Sequence, residues 1–250
     1  VSGTPWEHET WSTVASGKES TAVGVAARAT EYAATAVGMT SEAAASGAVA
    51  VGAPSTARGD RSIAIGTQAR AYETLAVSVG ASAQSRAERS VAIGANAVAN
   101  DEANTAVGQF AGTAGLDSSA FGRWSKARVR SSTALGALSD ATAEGSVALG
   151  AYSHADRANT VSVGSAVEMM DSDFQTVAPF QRQIVNVAAG TEDHDAVNVA
   201  QLREATEDAQ QTARYFRANG LEEGGDEAQA SGTLATACGS GSDARGVFAT

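Results

Sequence analysis

The side chains that most often perform catalysis or bind metal ions are few in this chain and lie far apart in the sequence. The three histidines and the single cysteine are His8, His154, His194 and Cys238. A general base needs its partners within hydrogen-bond reach, and a single cysteine provides neither a disulfide framework nor a thiolate metal site. Asp171 and Asp173 are close together, but the rest of a calcium-binding loop does not follow them. We therefore predict that the protein is not an enzyme and binds no metal ion or cofactor.

A different chemistry, apolar recognition, is available to four large side chains that recur at intervals of fourteen residues. They are Phe110, Trp124, Leu138 and Tyr152. If each lies on a successive coil of a repeating fold, they form a ridge roughly 15 Å long, and exposed apolar patches often mark interaction sites. The alternative is that a neighbouring chain or the following segment buries them. The four residues are our predicted ligand or partner patch, and solvent exposure of Trp124 in the assembled protein distinguishes the two interpretations.

These four residues belong to a repeat that organises most of the chain. A phrase such as Ser-Ile-Ala-Ile-Gly or Ser-Val-Ala-Leu-Gly returns every fourteen residues through residues 21–164, without any insertion. Its eleven glycines are Gly24, Gly38, Gly52, Gly66, Gly80, Gly94, Gly108, Gly122, Gly136, Gly150 and Gly164. A fixed period of this kind indicates a solenoid in which each repeat forms one coil.

The residue types around each glycine predict two short strands in every coil. The positions one and three residues before the glycine are mostly apolar or β-branched, and the position between them is alanine or serine, an alternation that is typical of a β-strand. After the glycine, small residues flank a polar one, as at Ala69, Arg70 and Ala71. We expect the aliphatic residues and the small residues of the second strand to fill a thin interior. We expect the alanine between the aliphatic positions to face a neighbouring chain.

Composition and charge narrow the class of protein. Aromatic residues make up only 5% of the chain, so a thin roll buries little apolar surface and we expect it to oligomerise. The net charge of −11 argues against nucleic acid or anionic lipid as a non-specific partner. No apolar run reaches the ~18 residues of a membrane span, and no signal peptide is recognisable. The chain begins and ends within its own patterns, so we expect it to be a fragment of a longer protein.

Two segments flank the repeat directly. Residues 1–20 contain Trp6 and Trp11 and are predicted to form an N-terminal cap or an imperfect first coil. Residues 165–181 break the repeat and are predicted to be a connector whose apolar residues dock on the end of the roll. A solenoid needs such covers because its terminal coils otherwise expose their interior.

The remainder of the chain changes from strand to helix and back. A helical pattern starts within residues 182–204, with Asp195 in the region of the N-cap. Residues 205–219 continue it as a short coiled-coil seam that is too weak to hold an oligomer alone. Residues 220–250 begin a second glycine-rich, head-like unit whose glycines lie seven residues apart, at half the period of the first.

The fourteen-residue phrase resembles the head of the trimeric autotransporter adhesins, the YadA-like family. Residues 182–204 resemble that family's neck, with an Arg-Gln-Ile-x-Asn-Val-Ala-x-Gly start and an Asp-Ala-Val-Asn-Val-x-Gln-Leu finish. The resemblance implies an all-β solenoid: a homotrimeric, left-handed parallel β-roll head over residues 21–164, followed by a neck and a short coiled-coil helix. The matching neck residues, with an expected structural role between subunits, are Ile184, Asn186, Val187, Gly190, Asp195, Asn198, Gln201 and Leu202.

The resemblance also implies a function. It is that of a non-enzymatic adhesin head, a virulence factor of type V secretion that attaches a bacterium to host matrix or to a cell-surface protein or glycan. Display on a Gram-negative cell would come from an outer-membrane anchor beyond this chain. One alternative is a spacer head that projects another binding domain. A less favoured one is an ice-binding solenoid, whose threonine array would be interrupted here by Val49 and Ile63. Acyltransferase solenoids follow a six-residue period, which does not divide fourteen.

Overall fold

The computed structural model describes residues 12–171, 173–215, 229–230 and 243–245. The chain divides into two compact units, Val1–Arg182 and Gln183–Thr250, and each is described by itself. The predicted cap residues Trp6 and Trp11 lie outside the described residues, as does most of the predicted second glycine-rich unit. Within the described residues, no helix is both long and apolar enough to cross a membrane.

The first unit is a parallel β-solenoid, which confirms the predicted fold. Its described residues form two sheets of eleven strands each, and successive coils contribute one strand to each sheet. The strands of the first sheet, named here the aliphatic sheet, are Thr21–Val23, Thr35–Val37, Val49–Val51, Ile63–Ile65, Val77–Val79, Val91–Ile93, Thr105–Val107, Ser119–Phe121, Thr133–Leu135, Val147–Leu149 and Val161–Ser162. The strands of the second, the short-strand sheet, are Val14–Ala15, Arg28–Ala29, Glu42–Ala43, Thr56–Ala57, Arg70–Ala71, Gln84–Ser85, Val98–Ala99, Gly112–Thr113, Lys126–Ala127, Asp140–Ala141 and His154–Ala155.

Strand pairing follows the fourteen-residue period. Val77 pairs with Val91, and Ser78 with Ala92, so identical positions of neighbouring coils lie directly above one another. Val14 pairs with Arg28 in the same register, which extends the short-strand sheet into residues 14–15, upstream of the aliphatic phrase. Each coil therefore repeats the backbone hydrogen bonds of the coil before it, and a substitution at one position acts on the equivalent positions of the neighbouring coils.

The inside and outside of the aliphatic strands are the reverse of our expectation. The residue between two aliphatic positions points inward, and Ala64 and Ser78 have no exposed surface. The flanking aliphatic side chains lie on the outer face, where Ile65 is 40% exposed. Because the small residues of the short-strand sheet, such as Ala69 and Ala71, also point inward as predicted, alanine and serine fill the interior from both sides. The prediction of an aliphatic interior is wrong, and the aliphatic face is the one left for a neighbouring chain.

Most interior serines are compatible with this space because their hydroxyl groups bond to the turns or across the interior, although the buried Ser62 hydroxyl has no partner among the described residues. Ser55 Oγ donates to the carbonyl of Gly52 at 2.9 Å, and Ser132 Oγ donates to the carbonyl of Val129 at 2.6 Å. Ser78 Oγ instead donates to the carbonyl of Arg70 and accepts the N–H of Ser85, so it connects the two sheets across the interior. A buried hydroxyl without a partner would cost about 1–3 kcal/mol, so these bonds explain why serine alternates freely with alanine.

Two left-handed turns allow each coil to close. Ser82 and Arg89, seven residues apart, have φ angles of +59° and +56°, and equivalent residues recur along the solenoid. Their N–H groups point along the stack: Ser82 donates to the carbonyl of Thr67 at 2.8 Å and Arg89 to that of Thr74 at 3.0 Å. This conformation costs a non-glycine residue roughly 1–2 kcal/mol, and the bonds to the preceding coil hold it in place.

The predicted connector is a β-hairpin. Its strands Met169–Met170 and Thr176–Val177 pair antiparallel, and Ser165 pairs with Phe180 nearer the roll. Phe174 is 82% exposed and Met170 is 60% exposed, so these side chains do not dock on the roll as predicted. The end of the roll is closed from elsewhere.

Arg182 supplies that closure. Its guanidinium donates to Ser153 Oγ at 2.8 Å and to the carbonyl of Ala151 at 2.6 Å, and it lies over the Phe180 ring at 4.6 Å from the centroid. It also donates to the carbonyl of Val163 at 2.5 Å. One side chain thereby satisfies carbonyl groups of the last coils, which have no further coil to pair with.

The second unit contains the helix Val199–Tyr215 and the strands Gln229–Ala230 and Asp243–Ala244. The two strands pair in parallel, Gln229 with Asp243, so the chain returns to strands at the fourteen-residue spacing of the head.

Candidate functional site

The predicted apolar patch forms a continuous column on the first turn of four successive coils. Each of its residues adopts the left-handed conformation, with Trp124 at φ +61°. The Trp124 N–H donates to the carbonyl of Gln109 on the preceding coil at 2.9 Å, so the backbone of the column is fixed by the stack. All four side chains are half-buried. We name this column, formed by Phe110, Trp124, Leu138 and Tyr152, the apolar ladder.

Two rings of the ladder, those of Phe110 and Trp124, face one another along the stack. The Phe110 and Trp124 ring centroids are 4.3 Å apart and the ring planes differ by 12°. This separation is close to the distance between adjacent strands, so the rings stack like the coils that carry them. One face of each ring is therefore covered by the other, and the ring edges remain available for contact.

The same column is polar in the earlier coils, where a hydrogen bond replaces ring stacking. Ser82 Oγ donates to Gln68 Oε1 at 3.1 Å across one coil step. The backbone is equivalent at both ends of the column, since Gln68, Ser82 and Trp124 share φ angles near +60°. The chemistry of this edge thus changes along the solenoid, while these three positions keep the same backbone conformation.

The outer face of the aliphatic sheet presents a row of apolar side chains along the solenoid. Beginning with Thr21 and Val23 and ending with Val161 and Val163, each strand turns two side chains outward, and the more exposed ones include Ile93 at 39% and Leu135 at 45%. Sequence reasoning assigned this face to the interior. The size of the inward residues on the short-strand sheet could have corrected this assignment. Two columns of alanine on that sheet indicate a narrow interior, which leaves no room for two columns of valine side chains on the facing sheet.

Charged side chains on the outer turns and on the short-strand sheet form ion pairs between neighbouring coils. Arg128 binds both carboxylate oxygens of Asp140, at 2.6 Å and 2.9 Å. This hydrogen bond, with the charge of Asp140, raises the pKa of Arg128 above its ordinary value. Arg89 likewise forms an ion pair with Glu102 on the next coil. Such pairs favour the correct register between coils, although exposed pairs stabilise by only about 0–1 kcal/mol each.

The predicted neck residues bond to one another within the chain. Asn198 is the N-cap of the helix, because its Oδ1 accepts the N–H of Gln201 at 3.0 Å. The Gln201 side chain returns to the Asn198 N–H and also bonds to the N–H and carbonyl of Gly190, at 2.9 Å and 3.0 Å. Asn198 Nδ2 donates to the carbonyl of Val187 at 3.2 Å. These contacts tie the extended segment to the start of the helix.

Asp195 has a different role from the predicted helix N-cap. Its Oδ2 accepts the N–H groups of Thr191 and Glu192, at 2.9 Å and 3.1 Å, and these bonds lower the pKa of Asp195. Two apolar neck residues are exposed in the single chain, Ile184 at 71% and Leu202 at 59%, whereas Val187 is half-buried. Asn186 adopts a left-handed conformation, with φ +60°.

The part of the chain that the structure describes does not bring together the residues considered for catalysis. Within the described residues, no group of three or more His, Cys, Asp or Glu side chains could hold a metal ion. His154 lines a recess at the end of the roll beside Arg157 and Arg182, with no serine, cysteine or threonine hydrogen-bonded to its ring among the described contacts. His194 is exposed in the second unit.

Comparison with known proteins places both units in one class, that of adhesin heads carried on coiled stalks. The YadA head domain repeat matches residues 15–41, 43–69, 71–97, 114–139 and 141–166. The coiled stalk of trimeric autotransporter adhesin matches residues 183–219. The search of curated protein sequences found no match.

One solved structure is similar over most of both chains. The crystal structure of the collagen-binding domain of the Yersinia adhesin YadA has 37% sequence identity and a TM-score of 0.50, covering 74% of this chain and 84% of that one. This chain belongs to the trimeric autotransporter adhesins with a YadA-type head. Proteins of this family are adhesins displayed on the bacterial surface and anchored in the outer membrane.

Proposed function

We propose that this chain is the head and upper stalk of a homotrimeric surface adhesin that attaches a bacterium to a protein of the host extracellular matrix. The observation that carries the proposal is the 37% identity to a collagen-binding domain, of which 84% is covered. The repeated coils provide a rigid support on which a binding surface is held away from the cell.

The exposed aliphatic sheet supports the trimer. Burial of a valine, leucine or isoleucine side chain stabilises by about 1.5–3 kcal/mol, and the outward columns present such side chains on nearly every strand. The interior holds only small residues, so the apolar side chains that would fill an ordinary core are on the surface instead. Three chains that turn these faces toward a common axis would share one core.

The apolar ladder is the proposed contact with the matrix protein. Because the Phe110 and Trp124 rings each cover one face of the other, this pair offers its ring edges, and Leu138 adds an aliphatic side chain beside it. A ridge of this shape fits a groove between side chains of a protein ligand. A sugar ring, which packs flat on an aromatic face, has less to gain here.

Binding of the 250-residue chain to immobilised fibrillar collagen, laminin and fibronectin tests the proposal. The variant carries Trp124→Ser and Tyr152→Ser. Its matched control carries Gln68→Ser and Asn96→Ser, in the same column and with the same backbone conformation. We expect the ladder variant to lose at least about tenfold in affinity, which corresponds to about 1.4 kcal/mol, and the control to bind as the wild type does.

Sedimentation velocity must show that all three proteins are trimers of equal size. Failure of the wild type to bind any matrix protein would favour the spacer alternative, in which the head only projects another domain. Equal loss in the ladder variant and in its control would assign the effect to the turn backbone and reject the ladder as the contact.

A further inference from the structure

One coil of the head concentrates positive charge in a chain whose net charge is −11. Within eight residues after Gly122 lie Arg123, Lys126, Arg128 and Arg130, and all four belong to the same coil. Lys126 is on the outer face of the short-strand sheet, and Arg128 and Arg130 follow it into the second turn. We name this set the cationic coil.

The coil that precedes it leaves open space beside these cations. At the four equivalent positions it carries Gln109, Gly112, Ala114 and Leu116, none of which is charged. Gly112 pairs directly with Lys126, and a Cβ atom built on Gly112 would meet nothing within 4 Å. Residues 98–113 are also a gap between two matches to the head repeat. The result is a shallow notch, one coil wide, on the outer face of the short-strand sheet.

Two of the four cations, Lys126 and Arg130, form no ion pair with a carboxylate within the described residues. Arg128 holds Asp140, which lies one coil further on and beside Lys126 in the sheet. None of the ion pairs within the described residues includes Lys126 or Arg130, although Glu144 occupies the position equivalent to Arg130 on the next coil. The positive strip therefore has an uncharged notch on one side and carboxylates on the other.

This arrangement selects a narrow, linear polyanion. The backbone from Arg123 to Arg130 spans at most about 25 Å, and the strip is one strand spacing wide, ~4.8 Å. A broad acidic protein surface would also meet Asp140 and Glu144 and be repelled. Charges beyond about 8 Å are screened at physiological salt, so the net charge of the whole chain does not prevent local attraction. Clusters of Lys and Arg of this length are typical of polyanion sites such as those for heparin.

We propose that the cationic coil and the Gly112 notch bind a sulfated polysaccharide. Lys126 and Arg130 provide the free positive charges, Arg128 is held in place by Asp140, and Gly112 allows the polymer to lie close to the sheet. The proposal goes beyond the matrix-protein contact of the apolar ladder, because it assigns a second ligand class to a different set of residues. In a trimer the site would occur three times at one level of the head.

Calorimetric titration of the 250-residue chain with heparin at about 0.15 M salt tests the site. The variant carries Lys126→Gln and Arg130→Gln. The matched control carries Arg28→Gln and Arg70→Gln, which remove the same charge from exposed positions of the short-strand sheet on other coils. We expect the variant to weaken binding at least tenfold, since each cation near an anionic surface contributes about fivefold. The slope of log affinity against log salt is negative, and its magnitude should decrease by about 0.7 for each cation removed.

Gly112→Leu provides an independent variant, because it fills the notch without changing charge. We expect it to weaken heparin binding while the trimer melts normally. Equal affinity of the wild type and the Lys126, Arg130 variant would overturn the proposal. So would binding of unsulfated hyaluronan or duplex DNA as tightly as heparin, which would indicate a non-specific polyanion effect. Collagen binding by the same variants separates this proposal from the ladder. The Lys126, Arg130 variant should lose heparin binding and keep collagen binding, and the ladder variant should do the reverse.

Discussion

At the scale of single residues, the repeated glycine is required by contact between coils as well as by backbone conformation. Gly94 has φ +124°, and a Cβ atom at this position would lie 2.6 Å from both the carbonyl carbon and the oxygen of Gly108. Backbone atoms cannot move away without disturbing the next coil. Gly112 has neither constraint, since its φ is ordinary and the space around it is open.

This contrast gives a prediction for two matched substitutions. Gly94→Ala should destabilise the head by at least about 2 kcal/mol, because strain in the left-handed region adds to the clash. Gly112→Ala should be neutral or stabilise by about 0.5 kcal/mol, because a strand glycine loses more conformational freedom on folding than alanine does. Thermal melting followed by circular dichroism measures both. Similar melting temperatures for the two variants would show that the close approach at Gly94 does not limit stability.

At the scale of elements, the proposed trimer makes the aliphatic sheet depend on a partner in a way that the short-strand sheet does not. Its outward column includes Val79, Ile93 and Val107 on three successive strands, whereas the equivalent outward residues of the other sheet include Gln84 and Lys126. In the proposed trimer, a charged side chain in the outward column of the aliphatic sheet would be buried in an apolar subunit interface. A charged side chain in the outward column of the short-strand sheet would stay in water.

Ile93→Glu should therefore dissociate the trimer, and Gln84→Glu should not. Three unpaired carboxylates would meet within the shared core, and burial of an unpaired charge costs several kcal/mol per ion. Sedimentation equilibrium at micromolar concentration measures the change in mass. If the Ile93→Glu protein stays trimeric with unchanged melting temperature, the aliphatic sheet is not the subunit interface.

Strand periodicity was sufficient to predict the sheets but not their inner face. The spacing of Ile63, Ala64 and Ile65 shows that the two isoleucines share one face and the alanine the other. Which face is inside depends on the distance between the sheets, and the opposing residues Ala69 and Ala71 set that distance. The contact of Arg182 with Ser153 was beyond prediction for a different reason, since it joins residues 29 positions apart at a place where the repeat has ended.

The candidate site was predicted in part. The fourteen-residue spacing correctly placed the ladder residues in one column, because parallel pairing such as Val107 with Phe121 preserves the register. The stacking of Phe110 on Trp124 needs the left-handed turn, which periodicity does not reveal. The Gly112 notch was not predicted. Gly112 occupies the mostly polar column after the repeated glycine, and in the sequence it looks like one more of the small residues that surround it.

At the scale of the whole molecule, the solenoid is a sum of nearly equal coils. Each coil contacts its neighbours through the same pairs, so its stability is a sum of terms for coils and for the interfaces between them. The interior bonds of a coil are largely local, as when Ser55 binds the carbonyl of Gly52. Removal of one complete period should leave every remaining interface intact.

Deletion of residues 53–66 should therefore give a folded trimer that is shorter by about 4.8 Å. It should still bind its ligands, because the ladder and the cationic coil lie in later coils. Deletion of residues 60–66, which removes half a period at the same place, should place the wrong column inside and prevent folding. Small-angle scattering and thermal melting compare the two. Equal stability of the two deletions would contradict the column-by-column account of the fold.

The left-handed first turns also bear on how such a head evolves. The same conformation is adopted by Ala26, Thr40, Gln68, Phe110 and Trp124, residues with little chemistry in common. Main-chain bonds to the preceding coil hold this geometry at Thr40, Phe110 and Trp124, so the side chain can be exchanged there at small cost in stability. This edge of the molecule is accordingly where descendants of one ancestral protein should first diverge in surface chemistry while keeping an unaltered backbone.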